Sequence, residues 1–396
     1  MTEFVTPEFV TGLLKPGMTV FIQGSAAEPV TIGQAIVDHP TAGDGVHFVG
    51  VWIPGANLID YASSHTNSTA TQFFAAPNSA TTRLDGRSRL IPKQYHAAYR
   101  YLEQEVEVDL AIIQVGPPGP DGVFQNGLGL DSPVAILPRA KTVVAEINRG
   151  MPIGGVAPGV PGSAIDYAVP VDTKPMTIMP GEITPDVAAV ARNVADLVRD
   201  GDCIQVGIGN LPVAVLKALG GKNDLGFHSG MIADGVPELV DNGNMNGSAK
   251  TIDRGIHLAG VAMGSPALYD WTIGRRDVEY RSINYTHDSA LMGQIDNFVS
   301  VNSALQIDLF GQVNAETVRG KPISGTGGSV DFMRGAERSK GGRSIIAMTA
   351  AAGGGKISKI VSAIQPPDII TASRTDIDYV VTEYGAAHVK NKSVME

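Results

Sequence analysis

Three apolar runs along the chain have the length and composition of buried strands. They cover residues 110–115, 142–147 and 345–348 and consist largely of Val, Ile, Leu and Ala. Runs that are apolar on both faces are typical of parallel strands covered by helices. Residues 376–382 alternate between polar and apolar positions and are predicted to form a further strand.

A longer pattern occurs twice, about half a chain apart. Residues 18–38 read as a strand, a glycine-rich turn and a helix over 30–38. Residues 203–219 read in the same order, with the helix over 213–219. In both turns a proline lies five residues after the first glycine, and proline is well tolerated where a helix begins. The repetition predicts two similar α/β halves.

The connection between the halves is predicted from a loss of periodicity. Residues 172–185 contain three prolines and a glycine and fit neither a helix nor a strand, whereas residues 187–198 have a helical pattern. We therefore predict an α/β protein with two similar open α/β domains, residues 1–185 and 186–396, each with a largely parallel sheet.

Composition narrows the function classes. The 396 residues are 43% hydrophobic, which is enough for sizeable cores, and the net charge of -10 argues against general nucleic-acid binding. The single cysteine, Cys203, suits a reducing compartment, so we expect a cytoplasmic protein. No run of 18 apolar residues and no signal-peptide pattern occur, so a membrane partner is not expected.

Several common catalytic signatures are absent from the sequence. No G-x-S-x-G motif is present, and residues 207–212 begin like a dinucleotide fingerprint but carry Pro212 where the third glycine belongs. The eight histidines are scattered without ligand spacing, so no metal is expected. Three glycine-rich turns remain, at residues 24–29, 207–212 and 324–329. Turns of this kind can present backbone N–H groups to an anion or an oxyanion where a helix begins.

A family resemblance rests on several segments of the chain. Residues 302–313, Asn-Ser-Ala-Leu-Gln-Ile-Asp-Leu-Phe-Gly-Gln-Val, resemble the nucleophile segment of the family I CoA-transferases and acetyl-CoA hydrolases. Supporting matches lie at 77–78, 109–122, 263–270, 325–335, 339–342 and 381–385. The resemblance covers nearly the whole chain. It implies the two-domain fold, coenzyme A bound as an acyl-CoA substrate, a small carboxylate as a second substrate, and a homodimer or other homo-oligomer.

The resemblance also implies a covalent mechanism in which a glutamate attacks the thioester, and it places that glutamate at Gln306. An amide is a poor nucleophile, so hydrolysis of the thioester, or water-dependent C–C cleavage of a keto-acyl-CoA, is favoured over CoA transfer. Two alternatives stay open. The chain could be an acyl-CoA:carboxylate CoA-transferase of the acetate or 4-hydroxybutyrate type, seen as a Glu-to-Gln variant, or a catalytically silent CoA-binding protein.

A second departure from the family pattern occurs at Gly230. The resemblance places a glutamate before Met231, where this chain has glycine. The change removes a carboxylate and side-chain volume near the expected pocket and could admit a larger acyl group. The alternative interpretation, that it only alters a turn, is equally open.

Site residues follow from the resemblance and from the missing nucleophile. Besides Gln306, the catalytic candidates are the backbone N–H of Gly385 as an oxyanion donor, and Glu28 and His287 as groups that could activate water. The contacts expected for coenzyme A are Ile283, Asn284, Tyr285, Gly327, Gly328 and Val381.

Overall fold

Two eight-stranded sheets form the framework of the computed structural model, which describes residues 2–393 and 395–396. The first sheet contains β1 (Glu3–Phe4), β2 (Thr19–Ile22), β3 (His47–Val49), β4 (Thr69–Gln72), β5 (Ser88–Leu90), β6 (Leu110–Val115), β8 (Thr142–Asn148) and β10 (Tyr167–Val171). Strands β7 (Val123–Phe124) and β9 (Val160–Pro161) form a separate antiparallel pair. The helices of this half are α1 (Pro7–Thr11), α2 (Val30–Asp38), α3 (Ala80–Leu84), α4 (Tyr95–Gln104) and α5 (Pro133–Ile136).

The second sheet contains β11 (Cys203–Val206), β12 (Gly226–His228), β14 (His257–Ala259), β16 (Val278–Tyr280), β17 (Phe298–Asn302), β22 (Arg343–Ala347), β26 (Tyr379–Thr382) and β27 (Gly385–His388). Smaller sheets are made by β13 (Met231–Ile232), β15 (Val261–Ala262), β18 (Gln306–Asp308), β19 (Val313–Asn314), β20 (Thr317–Val318), β21 (Lys321–Pro322), β23 (Ala351–Ala352), β24 (Ile357–Ser358) and β25 (Ile360–Val361).

The helices of the second half are α6 (Pro185–Ala195), α7 (Asn210–Ala218), α8 (Val236–Asp241), α9 (Pro266–Thr272), α10 (Ile283–Thr286), α11 (Ser289–Met292) and α12 (Ser329–Arg338). Short 3₁₀ turns occur at Ser25–Ala27, Tyr61–Ser63, Pro77–Ser79 and Gly162–Ala164. Among the helices of the described residues, none is long and apolar enough to span a bilayer.

The two large sheets share one topology. Strand order is β5-β4-β3-β2-β6-β8-β10-β1 in the first and β16-β14-β12-β11-β17-β22-β26-β27 in the second. Every neighbouring pair is parallel except β26 and β27. Strand β2 of the first half and strand β11 of the second occupy the same place in each order. The prediction of two similar open α/β halves with largely parallel sheets is therefore confirmed.

The sheets are buried because helices and loops cover both faces. All six residues of β6 are buried, as its apolar sequence predicts for a central parallel strand. Helix α6 begins where its sequence supplies a cap, since the Thr184 hydroxyl accepts a hydrogen bond from the Val187 N–H at 3.3 Å and Pro185 occupies the first helical position. The domain boundary predicted at 185/186 falls at this helix start and stays a prediction.

Backbone hydrogen bonds join the halves on one side of the molecule. The segment before α5 lies along the segment after β14: the Leu130 N–H donates to the carbonyl of Gly260 at 2.9 Å, and the Ala262 N–H donates to that of Leu128 at 2.7 Å. A further bond runs from the Tyr95 N–H to the carbonyl of Gly327 at 2.9 Å. These bonds fix the position of the first half relative to the second and so define the space between them.

Candidate active site

A cavity of about 240 Å³ lies between the two halves, and we call it the central cavity. Both halves contribute to its wall. The lining residues are Ser25, Ile53, Pro54, Phe74, Tyr95 and Asp131 from the first half, and Gln205, Val206, Gly207, Ile208, Gly230, Met231, Val261, His287, Asn302, Ser324, Gly327, Gly328, Ser329 and Phe332 from the second.

The three glycine-rich turns predicted as anion cradles all reach the central cavity. Ser25 follows β2, Gly207 follows β11, and Gly327 and Gly328 lead into α12. In parallel α/β sheets, ligands bind beyond the carboxyl ends of the strands, where such turns collect. All three turns therefore contribute to the wall of one cavity.

Helix α12 begins at the cavity wall. Gly328 is its N-cap residue, and no side chain caps the helix. The first N–H groups of an α-helix have no partner within the helix and carry partial positive charge. A developing negative charge in the cavity next to Gly328 would therefore be stabilised by this end of α12.

His287 lies at the centre of the wall, between two aromatic rings. Its ring centroid is 4.8 Å from that of Tyr95 and 4.6 Å from that of Phe332. Its Nδ1 is hydrogen bonded with the Thr286 hydroxyl at 2.8 Å, and its Nε2 faces Gly230. Burial lowers the pKa of His287 to about 3, so the imidazole is neutral at neutral pH. The structure therefore brings this predicted residue into the cavity as a neutral polar group.

Gly230 lies directly against the His287 imidazole. A Cβ atom built on Gly230 would lie 2.9 Å from both Cε1 and Nε2 of the imidazole, and 3.6 Å from Phe332. A Cβ on Gly328 would also collide with the imidazole. The position where the resemblance places a glutamate before Met231 thus opens directly onto the cavity, and the His287 ring borders the space that such a side chain would need.

Asp131 supplies the carboxylate of the cavity wall. Its two oxygens accept hydrogen bonds from the Tyr95 hydroxyl at 3.2 and 3.0 Å. Burial raises the pKa of Asp131 to about 6, and the hydroxyls of Tyr95 and Ser25 partly offset this rise. The backbone φ of Asp131 is +33°. Sequence reasoning missed both Asp131 and Tyr95, which lie 36 residues apart and meet only in the folded chain.

Gln306 lies outside the lining of the central cavity. It lies in β18, paired antiparallel with Asn314 of β19, and it is not among the residues that line the central cavity. Asn302, four residues earlier, does line it. The expectation that the side chain of Gln306 stands in for a nucleophile in the cavity has no support in this geometry, because the substituted position that faces the cavity is Gly230.

Glu28 lies beneath the first glycine-rich turn, outside the cavity lining. Its carboxylate accepts hydrogen bonds from the Tyr61 hydroxyl at 2.9 Å and from Asn57 Nδ2 at 3.1 Å. Asn57 also bonds the backbone N–H and carbonyl of Ser25, both at 3.0 Å. The structure therefore gives Glu28 a part in holding the turn, and it does not place this residue where water could attack a substrate.

The remaining predicted residues divide between accessible and buried positions. Gly327 and Gly328 line the central cavity, and Asn284 and Tyr285 line an adjoining groove of about 590 Å³ between the halves. Ile283 and Val381 are fully buried in hydrophobic cores. Gly385 begins the edge strand β27 and is not among the cavity residues, so the geometry does not place its N–H at the predicted oxyanion.

Comparisons with known proteins agree on one family. The model of the acetyl-CoA hydrolase/transferase N-terminal domain matches residues 1–180, and that of the C-terminal domain matches residues 264–396. The chain is 35% identical to 4-hydroxybutyrate coenzyme A transferase of Clostridium kluyveri, over 99% of this chain and 92% of that protein.

Two solved structures extend the similarity to the fold. RipA from Yersinia pestis superposes with a TM-score of 0.90 at 32% identity, covering 99% of this chain and 91% of RipA. The 4-hydroxybutyrate CoA-transferase from Porphyromonas gingivalis gives a TM-score of 0.81 at 30% identity, with the same coverage of 99% and 91%.

Proposed function

The chain belongs to the acetyl-CoA hydrolase/transferase family, and on this premise we propose that it hydrolyses the thioester of an acyl-CoA bound in the central cavity. The observation that carries the proposal is Gly230. At the cavity position where the resemblance implies a glutamate, this chain has no side chain, so the covalent route through a glutamyl intermediate has no nucleophile there.

Water can take the role of the missing nucleophile. Asp131 is the one carboxylate among the residues that line the cavity, and Gly230 adds no side chain to it. A water molecule needs polar partners to be held in a protein cavity, and the Asp131 carboxylate and the Ser25 hydroxyl both line this one. Attack by that water on the thioester carbon would release a carboxylic acid and free coenzyme A.

The thioester oxygen is proposed to face His287 and the start of α12. A neutral imidazole can donate one hydrogen bond from Nε2 when Nδ1 accepts from the Thr286 hydroxyl. The first N–H groups of α12, next to Gly328, supply further donors. Removing one donor aimed at an oxyanion commonly costs about 3–4 kcal/mol of transition-state stabilisation, so these groups would contribute much of the rate.

The rest of the coenzyme is proposed to follow the adjoining groove. Asn284 and Tyr285 line that groove, and α10, which carries both residues, ends one residue before His287. Of the expected coenzyme contacts, Asn284, Tyr285, Gly327 and Gly328 are retained in this proposal. Ile283 and Val381 are left out because they are buried in the cores.

CoA transfer is the second candidate, because similar proteins carry that activity in their names. One of them is the butyryl-CoA:acetate CoA-transferase of Anaerostipes caccae, 34% identical over 79% of this chain. Transfer without a cavity glutamate would need direct attack of the acceptor carboxylate on the thioester.

Two assays separate the candidates. Purified protein is incubated with acetyl-CoA or butyryl-CoA, free thiol is followed without any added carboxylate, and new acyl-CoA species are sought by mass spectrometry after adding acetate. Hydrolysis predicts thiol release that is independent of acetate. Exchange of the acyl group only when acetate is present would establish transfer and refute the proposal. Thermal stabilisation by acyl-CoA with no turnover would indicate a CoA-binding protein.

A further inference from the structure

A buried carboxylate without a cationic partner needs an explanation. None of the residues lining the central cavity is Lys or Arg, and the carboxylate of Asp131 is bonded by the Tyr95 hydroxyl. Asp131 is only 6% exposed. Burying a charged group is costly unless it is paired, so a carboxylate kept in this setting is a candidate for a chemical role.

The backbone around the cavity is strained at two points. Seven non-glycine residues in the described chain have positive φ, and two of them, Ser25 at +59° and Asp131 at +33°, line this one cavity from different loops. Such a conformation is strained for a non-glycine residue and persists where the surroundings impose it, which is common at functional sites. The segment holding Asp131 is fixed by the bond from the Leu130 N–H to Gly260 of the other half.

Tyr95 links Asp131 to His287. Its hydroxyl donates to the carboxylate, while its ring packs against the imidazole with centroids 4.8 Å apart. The carboxylate can act as a base because its pKa is about 6, whereas the imidazole, with a pKa of about 3, stays neutral and can only polarise. Two groups on either side of one tyrosine thus have environments that suit different steps of one reaction.

We propose that Asp131 is the general base of the hydrolysis and that Tyr95 positions its carboxylate; this inference rests on the proposed hydrolase function. Asp131 removes a proton from the attacking water while the water oxygen bonds to the thioester carbon. The tetrahedral intermediate then collapses, the C–S bond breaks, and the proton held by Asp131 passes to the departing thiolate. The products are a carboxylic acid and coenzyme A, and Asp131 is ionised again.

The test compares Asp131→Asn with Glu146→Gln in the full chain. Glu146 is a buried carboxyl that lines no part of the cavity and bonds Gln114 and the Ile32 N–H, so Glu146→Gln controls for the loss of a buried carboxylate. We expect Asp131→Asn to lower kcat by about 10²–10⁴-fold with little change in KM, as for loss of a general base. Glu146→Gln should keep the wild-type kcat. Thermal unfolding of both variants checks that they fold.

Tyr95→Phe gives a second readout that loss of stability would not produce. The titratable groups lining the cavity are Tyr95, Asp131 and His287. The Tyr95 hydroxyl lowers the pKa of Asp131, so its removal should move the acidic limb of the kcat–pH profile to higher pH. The residual kcat of Asp131→Asn should no longer fall at acidic pH, because the carboxylate that titrates there is gone.

Isotope labelling distinguishes a base from a nucleophile. A single turnover in H₂¹⁸O should place ¹⁸O in the product acid and none in the protein, because water itself attacks. Label in Asp131 after turnover would overturn the inference in favour of an aspartyl anhydride. If Asp131→Asn releases thiol at the wild-type rate, the inference is overturned and the proposed function stands. If the wild-type protein itself releases no thiol, the proposed function and the inference are overturned together.

Discussion

Two positions at which the resemblance implies a glutamate lie in different surroundings. Gly230 opens onto the central cavity in front of the His287 imidazole, whereas Gln306 sits in β18 outside the cavity lining. A nucleophile must lie within reach of the thioester, so we expect the residue at 230, and not the residue at 306, to bear on the chemistry.

The first prediction concerns Gln306. Changing Gln306 to Glu should leave the rate of CoA release close to that of the wild-type protein and should create no exchange with acetate, because the new carboxylate does not face the cavity. The same assays of thiol release and acyl exchange check this. Acetate-dependent exchange by Gln306→Glu would restore this residue to the active site and contradict the placement argued here.

The second prediction restores a carboxylate where the cavity can use it. Gly230→Glu alone should be inactive in transfer, because a Cβ at 230 lies 2.9 Å from two atoms of the His287 ring. Combining Gly230→Glu with His287→Ala removes that ring and should give CoA exchange between an acyl-CoA and acetate. Mass spectrometry of the protein should then detect a covalent CoA adduct at residue 230.

The matched control for this pair is Gly230→Gln with His287→Ala. Its amide fills the same space but cannot form the anhydride, so it should bind acyl-CoA without exchanging it. Equal exchange by both double variants would mean that the cavity transfers CoA without a covalent intermediate at residue 230.

At this scale the sequence identified part of the site. His287, Gly327 and Gly328 were predicted and line the cavity. Asp131 and Tyr95 were not predicted, because they are 36 residues apart and meet only when α4 packs near the segment before α5. A contact set by tertiary packing leaves no local pattern in the sequence.

Most elements could be predicted from local pattern, and the differences have identifiable causes. Strand β6 and helix α2 have the predicted bounds. Strand β22 begins at Arg343, two residues before the apolar run, because Arg343 already pairs with Val299 of β17. Helix α7 begins at Asn210, three residues before the predicted start, with Pro212 at its third position where no intrahelical donor is needed.

A third prediction belongs to the start of α12. A Cβ on Gly328 would collide with the His287 imidazole, which is packed between Tyr95 and Phe332 and has little room to move. Gly328→Ala should therefore displace His287 and lower kcat by about 10²-fold, the usual order of effect for a misplaced catalytic group. Steady-state kinetics with acetyl-CoA measure this.

The control for Gly328→Ala is another glycine with open surroundings. At Gly221 an added Cβ meets no atom within 4 Å, and its φ lies outside the left-handed region, so Gly221→Ala should keep wild-type activity. Unchanged kcat in Gly328→Ala would mean that the start of α12 and His287 take no part in turnover.

The duplication could be predicted for the whole molecule, but the site between its halves could not. Two glycine-rich turns half a chain apart predicted two α/β halves, and the matching strand orders confirm them. The central cavity depends on how the halves dock, through contacts such as that of Leu130 with Gly260. The way the two halves dock depends on the shapes of their folded surfaces, and the pattern of apolar and polar residues along the sequence does not encode those shapes.

Buried ionisable groups make the stability of the whole molecule depend on pH in opposing ways. Burial raises the pKa of Glu28 and of Glu146 to about 7, so the native protein retains protons that the unfolded chain releases between pH 4.5 and 7. Stability contributed by these groups falls as pH rises through that window. Burial lowers the pKa of His257 to about 4 and that of His228 to about 3, and their contribution rises with pH up to about 6.5.

Glu146→Gln separates these contributions, because the amide does not ionise. Its NH₂ group cannot accept the hydrogen bond that a carboxyl oxygen takes from the Ile32 N–H or from Gln114, so the variant should be less stable than the wild-type protein at pH 5. At pH 8 the wild-type protein must ionise Glu146 in a buried site, so the difference should shift in favour of the variant, by up to about 3 kcal/mol. Urea unfolding at both pH values measures this difference. The opposite outcome is that the variant loses stability relative to the wild-type protein between pH 5 and pH 8. That result would show that the native structure favours the ionised carboxylate.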